Sequence, residues 1–266
     1  MPYVTTADGI RAYYDLAGSG PALVMVHGAS QDSLSWQYVL DHFAPFYTVY
    51  ALDLPGHGKS GMPLGGPHTA TPQNAHYLLQ FLDAAGIQDP VLMGHSMGGG
   101  VVAQAAAMAP ERIRGLVLVD GASVNVVKSS GYNPRILEMA RINPGDWFEV
   151  TFRTLMGTLS DPARALEVVT DARRCIPAVA FADICAFGGF RMEQILDDIR
   201  CPVVIVEGGE DWSVPPESAR EVERLLREGK VPVEYIEWPG IGHFPQSECP
   251  EQFTRDTLAA MRRLSL

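Results

Sequence analysis

Positive charge is scarce in this chain of 266 residues: 20 lysines and arginines stand against 31 aspartates and glutamates, for a formal net charge of −11. No basic cluster offsets the deficit. The phosphate contacts that dominate nucleic-acid and anionic-membrane binding need Lys and Arg, so neither partner is expected. Long apolar runs are also missing, none approaching the roughly 18 residues that read as a spanning helix. The opening MPYVTTADGI has no basic segment followed by an apolar stretch, so no signal peptide is expected. Cysteine is sparse: Cys175, Cys185, Cys201 and Cys249 show neither CxxC nor Cys/His ligand spacing. They read as reduced, buried thiols of a cytoplasmic protein rather than a disulfide or zinc framework. Internal repeats, low-complexity tracts and charge runs are absent as well.

What is present is size and alternation. With 47% hydrophobic and 19% charged residues the chain can bury a full core, and its length fits one large α/β domain. Strands are expected at Tyr3–Thr6 and Arg11–Leu16, joined by an Ala-Asp-Gly turn. ALVMVH (22–27) follows, a continuous apolar run of the kind covered on both faces. Trp36, Val39, Leu40 and Phe43 recur at helical spacing. Further strands are expected at 47–53, 91–93, 115–120, 202–208 and 233–238. Between them lie a helix capped by Thr71 with Pro72 in its first turn, a helix from about Met97, a charged helix over ESAREVERLLREG, and a last helix from Pro250. Such alternation implies a largely parallel sheet. One interval breaks the rhythm. Some eighty residues separate Asp120 from Cys201, where a crossover needs only about a dozen or more. Its density of Phe, Met and Leu reads as a helical insertion rather than a linker.

Residues 90–100, PVLMGHSMGGG, place a serine between Gly94 and Gly98 at an expected strand-to-helix turn. Two machines use such a turn. A dinucleotide fingerprint could draw on Gly98, Gly100 and Ala103, with Asp120 at the end of the next strand. That motif, however, wants its first glycine where the strand ends, and here His95, Ser96 and Met97 intervene. The second machine is a nucleophile turn, G-H-S-M-G, in which glycines at −2 and +2 clear space and the helix N-terminus faces the place where an oxyanion would form.

The chain resembles the α/β-hydrolase fold enzymes over nearly its whole length. The resemblance rests on HGAS (27–30), DLPGHGKS (53–60), GHSMGG (94–99), EGGEDWSVPP (207–216) and GIGHFPQSECPEQF (240–253), in that order. It implies a mostly parallel central sheet of about eight strands flanked by helices, with a core over 1–121 and 196–266 and a helical cap over 122–195. It also implies a triad of Ser96, Asp211 and His243. His243 stands in a Gly-rich loop after the last strand, whereas His27 and His57 sit in His-Gly turns, His95 adjoins the serine, and His42, His68 and His76 read as surface residues. Asp211 matches the family's acid position. Glu210 beside it and Asp120 remain rivals. The oxyanion donors implied are the backbone N–H groups of Ala29 and Met97.

The expected chemistry is acyl transfer to water through an acyl-enzyme, with no metal or organic cofactor. The single-glycine HGAS resembles carboxylesterases, and an Asp-nucleophile relative is excluded by Ser96. Trp147, Phe148, Phe152, Met156, Phe181, Phe187, Phe190 and Met192 point to small or medium apolar acyl or aryl esters, although each could equally be core of the insertion. The expected partners are a small-molecule ester and water, in a monomer or homodimer. Lactonase, C–C bond hydrolase, perhydrolase and a non-catalytic binding protein stand as alternatives.

Overall fold

The computed structural model describes residues 2–124 and 134–266. Eight strands form one sheet in the order β1-β2-β4-β3-β5-β6-β7-β8. They are β1 (Tyr3–Thr5), β2 (Arg11–Ala17), β3 (Ala22–Val26), β4 (Thr48–Leu52), β5 (Val91–His95), β6 (Gly115–Val119), β7 (Val203–Gly208) and β8 (Val233–Trp238). β1 pairs antiparallel with β2 and β2 with β4, and every other pairing is parallel. The central strands are buried at every position, which is why they read as unbroken apolar runs rather than alternating ones.

Side-chain alternation still decides which layer each residue joins. Val24, Val26, Leu92, Leu116, Leu118 and Ile205 pack with the helices α2 (Thr71–Ala85), α3 (Met97–Met108) and α8 (Pro216–Glu228). Their neighbours Leu23, Met25, Met93, Val117, Val119 and Val204 pack with the opposite layer, α1 (Leu40–Phe43) and α10 (Pro250–Arg263). Because β3 sits between β4 and β5, the chain leaves it first toward one edge and then toward the other. This switch point lies at the carboxyl ends of the strands, where ligands of open α/β sheets bind.

Three expectations need correction. The face of Trp36, Val39, Leu40 and Phe43 is not one helix: a 3-10 turn over Ser33–Trp36, capped by Asp32, precedes the single turn of α1. Bonds from Gln37 to Leu34 and from Val39 to Trp36 keep the tighter winding, while Trp36, Val39 and Phe43 are buried all the same. Thr71 is the first residue of α2 rather than its cap, and its hydroxyl donates to the Ala186 carbonyl across the protein at 3.1 Å. The cysteines are free, but only Cys201 is buried, the other three being half-buried.

Among the described residues, four α-helices lie between β6 and β7: α4 (Pro134–Ile142), α5 (Pro144–Leu155), α6 (Pro162–Ala172) and α7 (Pro177–Gly189). Residues 125–133 of the expected cap lie outside the described residues. Phe148, Phe152, Leu155, Val168, Val169, Ala180 and Ile184 give this insert its own small core, which also takes in Phe244. A short helix, α9 (Pro245–Glu248), precedes α10, and no helix of the described residues is long and apolar enough to cross a membrane.

Phe253 is fully buried, its ring 6.2 Å from Phe43 on one side and 6.2 Å from Trp238 on the other. Phe253→Ala should cost about 3–5 kcal/mol of stability by leaving a cavity under α10. A urea midpoint within error of the parent's would contradict the layer assignment.

Candidate active site

Ser96 occupies the turn between β5 and α3 with φ 52° and ψ −120°, a conformation rarely adopted by a residue with a side chain. The turn is tight enough to forbid β-carbons around it. One on Gly94 would run into the Gly98 carbonyl, one on Gly98 into the carbonyl of Val26, and one on Gly99 would lie 2.7 Å from the α-carbon of Gly121. The Ser96 N–H donates to Val119 O at 2.9 Å, and its carbonyl accepts from Gly99 N–H, also at 2.9 Å. Its side chain is left at the mouth of the sheet, where the residue keeps 8% of its surface exposed.

His243 reaches it from the loop after β8. Its Nε2 lies 2.8 Å from Ser96 Oγ, and its Nδ1 lies 2.6 Å from Asp211 Oδ2 in the loop after β7. Asp211 accepts at its other oxygen from the N–H groups of Ser213 (2.7 Å) and Val214 (3.2 Å), so both oxygens are engaged as a carboxylate's should be. An acceptor on the Nδ1 side fixes the tautomer: Nδ1–H donates to Asp211, and Nε2 accepts from the serine hydroxyl. The three residues named from the sequence are thus brought into one relay of two hydrogen bonds.

The rivals are elsewhere. Glu210 accepts from Thr158 N–H and Oγ–H of the insert, both at 2.8 Å. Asp120 lies close by, its carboxyl within 4.8 Å of those of Asp211 and the His243 ring, but it accepts from Gly208 N–H at 2.8 Å. The N–H of Met97 and the N–H of Ala29 have no acceptor among the described residues, and Ala29 and Ser96 line the same cavity. Trp147, Phe148, Phe152 and Phe187 line it too, with Thr151, Leu155, Ile184 and Phe244. Met156, Phe181, Phe190 and Met192 do not. Phe190 and Met192 instead join the main core, where Phe190 packs against Gly100.

Several further residues shape this site: the histidines at 27, 57 and 95, expected in supporting roles, and Gln31, Asp183 and Glu248, which no sequence pattern singled out. Burial and the neighbouring His243 push His95 well below the ordinary histidine range, so it is neutral. Its Nε2 donates to the His243 carbonyl at 2.7 Å, while Nδ1 faces the Gln31 side chain at 3.0 Å. The His243 N–H donates to Leu155 O of the insert at 2.9 Å. Glu248 accepts from Gly242 N–H (3.0 Å) and Phe244 N–H (2.9 Å) on either side of His243, and from Gly157 N–H (2.9 Å) and the Ser160 hydroxyl of the insert. His57 forms a buried pair with Asp183 of α7 at 2.8 Å. Burial opposes its protonation, but the Asp183 charge and hydrogen bond outweigh that and raise its pKa, while burial and the adjacent His57 depress His27 to about 4. His57, Asp183 and Cys175 offer three ligand atoms within 4.8 Å, the other metal-like grouping among the described residues being Asp120, Asp211 and His243.

A model of the Alpha/beta hydrolase family matches residues 23–256. The chain belongs to this family. It is 44% identical over 126 residues to the dihydrolipoyllysine-residue acetyltransferase component of the acetoin cleaving system of Cupriavidus necator, an alignment covering 47% of this chain and 33% of that one. The chain thus matches about a third of that relative's length. It is 27% identical over 248 residues to the pimeloyl-[acyl-carrier protein] methyl ester esterase of Photobacterium profundum, covering 90% of this chain and 93% of the relative. Its fold is that of a thermophilic esterase from Thermogutta terrifontis solved with malate, with a TM-score of 0.85 at 22% identity over 98% of both chains.

Asp120 and Glu207 are fully buried behind the relay. Burial first, then the Asp211 charge for Asp120 and the Asp120 charge for Glu207, raises both well above the ordinary carboxyl range. Ionised, Asp120 Oδ2 and both Glu207 oxygens have no partner. A shared proton supplies one, since a protonated carboxyl donates to its neighbour. The folded pair therefore holds a proton that the unfolded chain releases, and its contribution to stability is fully present below pH about 4 and is lost as pH rises through the raised values. Glu207→Gln should flatten that decline: plotted from pH 5 to 8, its urea midpoint should fall less steeply than the parent's. Parallel curves would refute the shared proton.

Proposed function

We propose that the protein is a serine hydrolase of carboxylic esters with small to medium apolar acyl or aryl groups. Ser96 attacks the ester carbonyl as His243 takes its proton. The Ala29 and Met97 N–H groups stabilise the oxyanion, and the alcohol leaves with a proton from His243. His243 then activates water against the acyl-enzyme. Asp211 keeps the ring in the required tautomer and stabilises the imidazolium. This chemistry asks for no cofactor.

The observation that carries the reading is the unbroken relay from Asp211 through His243 to Ser96, ending beside two amide donors without acceptors. The cavity chemistry supports the substrate class. Its walls are mainly aromatic and aliphatic, with Trp147, Phe148, Phe152 and Phe244 lining the same space as the serine. The methyl ester esterase among the relatives favours an ester over other acyl substrates. We also propose that the helices of residues 122–195 act as a lid. The free space inside the cavity is about 20 Å³, roughly one water-sized body, so an ester enters only when α5 or its side chains give way.

A fluorophosphonate probe should label the wild type and leave Ser96→Ala unlabelled. Against p-nitrophenyl esters of rising chain length, Ser96→Ala should lower kcat by about 10⁶-fold and Asp211→Asn by about 10⁴-fold, and Asp120→Asn by far less. Turnover confined to a lactone or a vinylogous diketone would replace the ester reading, and failure to label any variant would favour a binding protein.

A further inference from the structure

Resting on the ester-hydrolase reading, we propose that Asp183 of the insert is a positioning residue for the Ala29 oxyanion donor, so that the donor is aligned only while the insert is seated. The Ala29 N–H sits in a four-residue turn after β3, and nothing on its own side chain can hold it. Its neighbours do. Gly28 N–H donates to Gln31 Oε1 at 3.2 Å, and Gln31 N–H returns to Gly28 O at 3.3 Å. The next residue, Ser30, is held entirely from the insert: its N–H donates to Asp183 Oδ2 at 2.8 Å, and its hydroxyl donates to the Ala172 carbonyl at 2.8 Å. Ser30 also stands at φ 59°, a left-handed conformation that a serine keeps only when its surroundings impose it. The imposing groups come from α6 and α7, some 140 to 150 residues away in sequence.

Asp183 is itself fixed. It is 1% exposed, and the same Oδ2 accepts from His57 Nε2 at 2.8 Å, while His57 Nδ1 donates to Pro55 O at 3.1 Å. One carboxylate oxygen therefore clamps the loops after β3 and β4 to α7. When α6 and α7 lift together, Ser30 loses both of its outside bonds and the preceding peptide is free to turn. The Ala29 N–H then no longer faces the carbonyl that Ser96 attacks. Reseating restores it, which joins substrate enclosure to assembly of the oxyanion donors.

The test uses the full chain with Asp183→Ala, Asp183→Asn and Ser30→Gly, followed by peptide-level hydrogen exchange over residues 27–31 and by p-nitrophenyl butyrate kinetics. Asp183→Ala should exchange faster at this turn and lose about 10²-fold in kcat with KM changed by less than about threefold, the signature of an interaction made in the transition state. Asp183→Asn keeps an oxygen for the Ser30 N–H and should recover about tenfold of that loss. Ser30→Gly suits the left-handed backbone and so folds; it removes only the hydroxyl tie, and should lower kcat by a smaller factor with KM unchanged. Unchanged exchange in Asp183→Ala and Ser30→Gly would overturn the proposal, as would faster exchange with kcat intact. If Asp183→Ala does not fold, Asp183→Asn decides: exchange over residues 27–31 and kcat both equal to the parent's would overturn the proposal, and faster exchange with a loss of about tenfold in kcat would support it. A wild type inert toward every ester would instead remove the ester reading, with the exchange data still deciding whether Asp183 holds the loop.

Discussion

The constraint beneath this architecture is steric: a residue with a side chain is forced to φ 52° where a strand meets a helix. That turn exists only because Gly94, Gly98 and Gly99 leave no β-carbon in the way, and because Gly121 lets the loop after β6 pass beneath it. Everything else follows from the direction in which it points Ser96. The parallel sheet delivers the loops after β3, β6, β7 and β8 to the same end, and the crossing order β4-β3-β5 opens the gap into which the serine projects. Strain at the turn is compensated by the buried sheet around it, whose central strands are covered on both faces.

Around this point the protein gathers four buried acidic side chains. Asp120, Glu207, Asp211 and Glu248 all lie within the carboxyl end of the sheet, and each is handled differently. Asp211 is surrounded by donors and faces the ring of His243. Glu248 spends its oxygens on backbone N–H groups and the Ser160 hydroxyl. Asp120 and Glu207, short of donors, hold protons instead. Local donor supply thus differs between the acid that faces the ring and the two buried behind it.

Much of this was legible in the sequence because it is local. The strands, the last helix from Pro250 and the strand-turn-helix at Ser96 are each written within a dozen residues. Ser96, Asp211 and His243 could be named from short motifs, and the structure brings them within hydrogen-bond distance. What could not be read depends on contacts between distant segments. Asp183 meets Ser30 across 153 positions, Glu248 meets Gly157 across 91, and His95 meets the carbonyl of His243 across 148. No spacing rule connects such pairs, and a buried Asp or Glu on a helix looks like any other acid until its partner is known. The broken winding at Ser33–Phe43 was missed for a related reason: a 3-10 turn and a short helix can bury the same residues that one helix would. Likewise the aromatic residues of the insert divide between cavity wall and core by tertiary packing alone, as Phe148 and Phe190 illustrate.

The N–H of His243 ends on the carbonyl of Leu155, and Glu248 joins Gly157 to Gly242. The helical segment above the sheet thereby supplies main-chain acceptors and donors to the loop that carries the imidazole. It cannot be treated as an interchangeable module. Grafting a foreign segment onto this scaffold to change selectivity would have to preserve the path of residues 154–160, or the histidine would lose its anchorage along with the old pocket walls.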